Sequence, residues 1–221
     1  HVRKEDMNYL AETIPHIRNL RILKIHHSSI TDDVCYNLWS TLLSYKPLEE
    51  IHLLYCAVGD KTAVQIATKL SSESFNNLTQ LDLTDNQIGE SGGEALGKAL
   101  LTSSCKLTYL NLKLNPLRDA GAHHIASALN INTCLLHLNL SGCIFGPTTF
   151  VIFGESLKKN RTLQKLYLPN NFIDEDSSHE LTQGMAENFV VQDLDVRMTG
   201  ISSQDEILLN SYIDRNRTQH R

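Results

Sequence analysis

One pattern recurs so regularly that the chain has to be a stack of equal units. The template L-x-x-L-x-L-x-x-(N/C)-x-L is clearest in Leu78-Thr-Gln-Leu81-Asp-Leu83-Thr-Asp-Asn86-Gln-Ile88. It opens seven times, at Leu20, Leu48, Leu78, Leu107, Leu135, Leu163 and Val191, at successive spacings of 28, 30, 29, 28, 28 and 28 residues. Units this short cannot each enclose a core. They bury their apolar faces against one another, so the period leaves no linker and no second domain.

The second half of each unit is as regular as the first. Apolar pairs four residues apart follow every template: Leu38/Leu42, Ile66/Leu70, Leu96/Leu100, Ile125/Leu129, Phe153/Leu157, Leu181/Met185 and Leu209/Ile213. Such i, i+4 pairs among polar residues mark one face of a helix. The template alternates, so Leu81 and Leu83 face the helix while Gln80, Asp82 and Thr84 face away. Strands joined through helices run parallel with right-handed crossovers. Strands stack at about 4.8 Å and helices need roughly 10 Å, so the stack bends. The expected fold is an α/β horseshoe, with a parallel sheet on the concave face and helices on the convex face. The irregular spacings put extra residues at 71–77 and 102–106, in the turns between helix and strand.

Residues 1–221 therefore read as one domain: a half repeat over 1–19, where Leu10 and Ile14 keep the helical register, seven repeats from 20, and an atypical closing unit over about 191–221. A half repeat at the start leads us to expect the C-terminal part of a longer chain.

The ninth template position holds Ser28, Cys56, Asn86, Asn115, Cys143, Asn171 and Thr199. Each can hydrogen-bond, and each is placed where backbone groups leaving a strand lack regular partners. These seven form the expected structural ladder. The ladder also accounts for two of five cysteines; Cys35 falls on a helix face, and Cys105 and Cys134 in turns. An odd number without CxxC pairs fits neither a disulfide framework nor a zinc module, and reads as free, non-catalytic thiols in a reducing compartment.

Other functions find no foothold. With 20 basic and 25 acidic residues the formal charge is −5, against a nucleic-acid partner. No apolar run approaches the roughly 18 residues of a membrane span. Gly92-Gly-Glu-Ala-Leu-Gly97-Lys-Ala99 mimics a phosphate-binding loop but ends in Ala where magnesium needs Ser or Thr, and Gly97 aligns with small helical residues Ala67, Ala126 and Gly154. The paired histidines, His26-His27 and His123-His124, lack zinc spacing. Asp174-Glu-Asp176 lacks the glycine and closing glutamate of a calcium loop, and reads as a helix cap. No nucleophilic triad motif occurs, so neither catalytic residues, nor a metal, nor a cofactor is expected. Sequons at Asn77, Asn139, Asn160 and Asn216 carry no weight without secretion.

The concave wall remains. Its rows mix both charge signs with aromatic and apolar residues, which suits protein recognition. The candidate partner-binding residues are His26, Leu54, Tyr109, Lys113, Tyr167, Asp195 and Arg197.

In unit length and layout the whole chain resembles the ribonuclease-inhibitor-like leucine-rich repeats. Two stretches narrow the likeness: Leu110-Asn-Leu-Lys-Leu-Asn-Pro-Leu-Arg-Asp-Ala-Gly-Ala122, and Asp193-Leu-Asp-Val-Arg-Met-Thr-Gly-Ile-Ser-Ser-Gln-Asp-Glu-Ile-Leu-Leu-Asn210 with the final Asn216-Arg217. Both are similar to the leucine-rich-repeat subunit of the nexin-dynein regulatory complex, the T-complex-associated testis-expressed family. Cys56 and Cys143 depart from the ladder asparagines, and the helix at Pro147 lacks the usual Gly-Ala pair. The resemblance implies a non-enzymatic scaffold of the cytoplasm and cytoskeleton, in the axoneme of cilia and flagella. Its implied partners are coiled-coil subunits of that complex, with doublet microtubules or dynein engaged indirectly, and no nucleic acid or membrane. Two alternatives stay open. A GTPase-activating repeat protein would need an exposed loop residue such as Arg118, and the sensor region of a cytosolic immune receptor would need a nucleotide-binding domain upstream.

Overall fold

The computed structural model describes residues 3–42, 47–72 and 77–219; the side chain of Cys35 and part of the 71–77 insertion lie outside the described residues. Seven strands, β1 (Ile22–His26), β2 (Glu50–Leu54), β3 (Gln80–Asp82), β4 (Tyr109–Asn111), β5 (His137–Asn139), β6 (Lys165–Tyr167) and β7 (Asp193–Asp195), pair in chain order in one sheet. Every pair is parallel and in the register that the template predicts, Ile51 beside Leu81 and Leu81 beside Leu110. Between them stand the helices α2 (Asp32–Leu42), α3 (Asp60–Leu70), α4 (Glu90–Leu100), α5 (Arg118–Ala128), α6 (Pro147–Lys159) and α7 (Glu175–Ala186). Helices α1 (Lys4–Thr13) and α8 (Ser203–Gln219) flank the set.

The core lies between the two layers. All fourteen residues of the i, i+4 helix pairs are at most 5% exposed. At the fifth repeat Phe145 joins Phe150 and Phe153, with ring centroids 5.2 and 6.1 Å from its own. The half repeat differs from its pattern: α1 buries Met7 and Ala11 while Leu10 is only half-buried, and Ile14 is buried in a 3-10 turn. Pro15 cannot continue the i to i−4 bonding, which tightens that turn.

Gly97 lies inside α4, which settles its role. A Cβ there would come within 2.6 Å of the His124 backbone, so the missing side chain is what lets α4 and α5 touch. Gly154 does the same for α6, where a Cβ would overlap the Glu180 carbonyl.

Helix starts are capped across the repeats. The Asp32 carboxylate accepts from the N–H groups of Gly59, Lys61 and Thr62, and Asp60 from those of Gly89 and Gly92. Asp119 accepts from the Gly146 N–H and the Thr149 hydroxyl. Helix α6 opens on Pro147-Thr-Thr with no acid to pass forward, and α7 supplies its own cap, Asp174 accepting from the Ser177 N–H at 2.9 Å. The acidic triplet expected to cap a helix does so.

The ladder residues divide by chemistry. Asn86 Oδ1 accepts from the N–H groups of Cys56 and Val58, and its amide donates to the carbonyls of Leu53 and Leu83. Asn171 repeats this with Cys143, Phe145, Leu140 and Leu168, and Asn115 accepts from Ile88 and donates to Leu83 and Leu112. Cys56 and Cys143 donate only, to Ile25 and Leu54 and to Leu112 and Ser141. Ser28 and Thr199 each reach one carbonyl of their own repeat. Where the ladder residue is Cys or Thr, the preceding loop turns its N–H to that residue's main-chain carbonyl instead: Ile30 to Cys56, Arg118 to Cys143 and Ile173 to Thr199. A thiol cannot offer the planar oxygen that an amide can.

A second asparagine ladder, unforeseen, runs along the opposite turns at Asn132, Asn160, Asn188 and Asn216. Asn160 accepts from the N–H groups of Thr162 and Leu163 and donates back to the carbonyls of Leu129 and Asn132; Asn188 donates likewise to those of Leu157 and Asn160, and Asn216 to those of Asn188 and Val191. Two of the sequon asparagines, Asn160 and Asn216, are thus buried rungs.

Candidate functional site

Each repeat must turn sharply from strand to helix, and it does so with one left-handed residue directly before the ladder position. The seven are His27, Tyr55, Asp85, Leu114, Gly142, Asn170 and Met198, with φ between 52° and 63°. Their N–H groups form a chain along the edge of the wall, such as Leu114 to the Ser141 carbonyl and Gly142 to that of Pro169, both at 2.8 Å. Only Gly, Asn and Asp adopt this conformation easily.

On the wall itself the second outward residue of each strand decides how the strand ends. Asp82, Asn111, Asn139 and Asp195 each accept from the N–H two residues on, at Thr84, Lys113, Ser141 and Arg197, and so stop the strand after three residues. In β6 the equivalent pair is Tyr167 and Pro169; proline has no N–H to satisfy, so a tyrosine can stand there. In β1 and β2 the position holds Lys24 and His52, and both strands run for five residues. These bonds shield part of the wall: Asp82, Thr84, Asn111 and Ser141 are buried although they face away from the helices.

The candidate residues are therefore not equivalent. Lys113, Tyr167, Asp195 and Arg197 border one concavity of about 1180 Å³ at the β7 end. The Tyr167 hydroxyl donates to Asp193 at 2.6 Å, and burial together with that carboxylate pushes the phenol pKa up to about 12. Arg197 grips Asp195 through Nε and Nη2, at 2.9 and 2.7 Å, which holds the Asp195 carboxyl below its ordinary range. Tyr109 is half-buried, its pKa raised by burial and by Asp82, and its ring meets His137 edge-on at 6.1 Å. Burial, then Lys165, lowers the His137 pKa. His26 and Leu54 stand at the far end, opposite one another in the β1–β2 register, and do not border the concavity. Arg118, the loop candidate of the GTPase-activating reading, is exposed at the start of α5 in a left-handed conformation.

The four cysteines described in full, Cys56, Cys105, Cys134 and Cys143, are free thiols. Burial raises the pKa of three of them, that of Cys143 to about 12, which keeps them protonated and unreactive. Among the described residues no three His, Cys, Asp or Glu side chains converge on a metal position, and no helix is long and apolar enough to cross a membrane.

The ending that carries the narrower resemblance has structural work throughout. Asp195 and Arg197 close β7, Asn216 is the last rung of the second ladder, and the neighbouring Arg217 Nε donates to the Gln192 carbonyl at 2.7 Å. Arg215 stacks over Phe189, 4.1 Å from the ring centroid, and donates to the carbonyls of Met185 and Ala186 at the end of α7.

A family model described as Leucine Rich repeat matches residues 76–97 and 103–126. Among curated proteins the chain is 32% identical to NACHT, LRR and PYD domains-containing protein 12 of Mus musculus, over 61% of this chain and 13% of that protein. It is 26% identical to the ribonuclease inhibitor of Sus scrofa, over 80% of this chain and 39% of the inhibitor. The chain thus spans well under half the length of either. Of the solved structures, the tropomodulin C-terminal domain of Caenorhabditis elegans aligns with a TM-score of 0.64 at 12% identity, covering 72% of this chain and 95% of that one. The sheet order, the repeat register, the family match and these neighbours agree: the chain is an α/β leucine-rich-repeat solenoid.

Proposed function

We propose that the chain is a non-enzymatic scaffold that holds a partner protein in the concavity at the β7 end of its inner wall. The observation that carries this reading is the gathering of Tyr167, Lys113 and the Asp195–Arg197 pair around a concave volume of about 1180 Å³, within a wall otherwise tied up by its own hydrogen bonds. An aromatic ring and a preorganised guanidinium in a shaped hollow are the groups that dominate binding energy at protein interfaces. The ribonuclease inhibitor among the relatives is, by its name, a protein that binds a protein.

The finer reading follows the likeness of the 110–122 and 193–217 stretches: a subunit of the nexin-dynein regulatory complex of the ciliary axoneme, taking a coiled-coil subunit on this wall and helping to regulate dynein. The test uses recombinant coiled-coil subunits of that complex and the Tyr109→Ala, Arg197→Ala double variant. Capture is expected to fall by about tenfold or more while the melting temperature holds. Undiminished capture would exclude the wall, and the absence of the full-length protein from axonemes of ciliated cells would exclude the assignment.

A further inference from the structure

Along the edge where strands turn into helices, the last four repeats expose a row of apolar side chains, of which only Met198 also borders the concavity. Leu114 is 43% exposed, Ile144 64%, Phe172 63% and Met198 82%. Each repeat contributes one, Leu114 and Met198 from the corner just before the ladder residue and Ile144 and Phe172 from the position just after it. Leu114 reaches over the next unit, since a Cβ on Gly142 would lie 2.8 Å from its Cδ2, and the Phe172 N–H donates to the Phe145 carbonyl at 3.1 Å, so neighbours adjoin. The first three repeats carry His27, Tyr55 and Asp85 at the corner instead, with the His27 and Tyr55 rings stacked at 4.5 Å.

These residues are costly to keep. Leu114, Ile144 and Met198 all adopt the left-handed backbone, at φ 58°, 62° and 59°, and a β-branched residue such as Ile144 is an outlier there. Asn170 and Gly142 show that the corner accepts residues without that strain. Strain combined with apolar exposure, repeated in three of four units, points from the outlier to a function.

The spacing identifies the occupant. One apolar residue per repeat, at about 4.8 Å per strand, runs roughly 14 Å from Leu114 to Met198. An α-helix laid along the edge offers one apolar residue per turn at about 5.4 Å, roughly 16 Å over the same three intervals. The mismatch is within side-chain reach. Lys113 and Arg118, exposed beside Leu114, have no ion-pair partner among the described residues, which favours acidic flanks on the visitor. We propose that the edge formed by Leu114, Ile144, Phe172 and Met198 binds an amphipathic helix whose apolar stripe is flanked by carboxylates. This surface adjoins the concavity, sharing Met198 and Lys113 with its border, but Leu114, Ile144 and Phe172 lie outside that border and the proposal does not depend on the reading given above.

The probe is a synthetic helix with leucine at positions i, i+4, i+7 and i+11 and glutamate on both flanks, its binding to the full chain followed by fluorescence anisotropy. It should bind about tenfold tighter than the same peptide with lysine flanks. The double variant Ile144→Asn, Phe172→Ser should weaken it by about tenfold or more, with a melting temperature no lower than that of the unaltered chain. Tyr167→Ala, inside the concavity, should leave the affinity unchanged, which separates binding at this edge from binding in the hollow. No binding of the glutamate peptide, equal affinity for the double variant, or preference for lysine flanks would overturn the proposal. So would a dimer in sedimentation velocity that the double variant abolishes, which would make a second copy the occupant.

Discussion

The two ends of the inner wall are built from one template and end their strands differently. In β1 and β2 the second outward residues are Lys24 and His52, the strands extend for five residues, and the ladder positions hold Ser28 and Cys56. From β3 onward the strands stop at three and the ladder is mostly asparagine; in β3, β4, β5 and β7 an Asp or Asn at that position folds back on the N–H two residues later, and in β6 Pro169 offers no N–H there. The comparison teaches that one local device per repeat, a folded-back Asp or Asn or, in β6, a proline without an N–H, sets the strand length. It also sets how much of the wall is left for a partner: the later repeats bind much of their own polarity internally, and leave Tyr167, Lys113 and Arg197 around a hollow.

The sharpest way to break this contrast is in the ladder. Asn171→Ala would strand the N–H groups of Cys143 and Phe145 and the carbonyls of Leu140 and Leu168 inside the core, at a cost of about 3 kcal/mol or more. Cys56→Ala removes only a weak donor, since Ile30 already bonds to the Cys56 main chain, and should cost about 1 kcal/mol. Urea midpoints at unchanged slope measure both. Equal losses would refute the division of labour between amide and thiol.

Most of the fold was legible because burial acts on every repeat alike. The apolar template and the Leu38/Leu42 type of pair report one requirement repeated seven times, and the period averages out local exceptions. The decoys at Gly97 and Asp174 yielded to the same period. What escaped was set by polar contacts across repeats. Asn132, Asn160, Asn188 and Asn216 share a spacing of 28, a signal present in the sequence but in a turn where the template has no letter. The forward caps from Asp32, Asp60 and Asp119 give no sign of which helix they serve. The left-handed residues were unreadable for a different reason: Leu114 and Met198 at corners, and Ile144 just past the ladder residue Cys143, contradict the preference of the conformation they adopt. On the wall, outward alternation was evident, but not that Asp82 and Asn111 would be spent on neighbours.

Strand length offers the next test. Asp82→Ala would leave the Thr84 N–H and hydroxyl and the Asn111 amide without their acceptor, in a shielded part of the wall, and should cost about 2 kcal/mol. The reverse change at the other end, His52→Asn, supplies an acceptor to a strand that does not need one and should move stability by about 0.5 kcal/mol or less. A large loss from His52→Asn would mean that strand length at the β2 end depends on the histidine itself.

Corner strain is a smaller quantity with an unusual sign. Ile144→Asn removes a β-branched residue from a left-handed position and gives up little burial, so it should stabilise by roughly 0.5–1 kcal/mol. Asn170→Ile should lose a similar amount. If Ile144→Asn destabilises instead, the exposed isoleucine is supporting the fold, and the argument that it is retained for binding loses its base.

The smallest effect at neutral pH distinguishes the ends most cleanly at high pH. Tyr167 donates to Asp193, which is only half-buried, so water can replace the phenol in Tyr167→Phe at a cost of about 0.5 kcal/mol. Its folded pKa, about 12, lies above the ordinary value near 10. A raised folded pKa gives stability that is fully present below the unfolded value and is lost as pH rises through the folded one, because the unfolded chain releases its proton first. The unaltered protein should therefore lose stability between about pH 10 and 12, and Tyr167→Phe should flatten that part of the curve. No tyrosine stands at the outward strand positions of β1 or β2, so within the wall this loss belongs to the β4–β7 part, shared with the likewise raised Tyr109. An ultraviolet difference titration, unaltered protein minus variant, isolates the one phenol. A midpoint near 10 would mean that Asp193 does not hold the ring in solution, and that the hollow is looser than its hydrogen bonds imply.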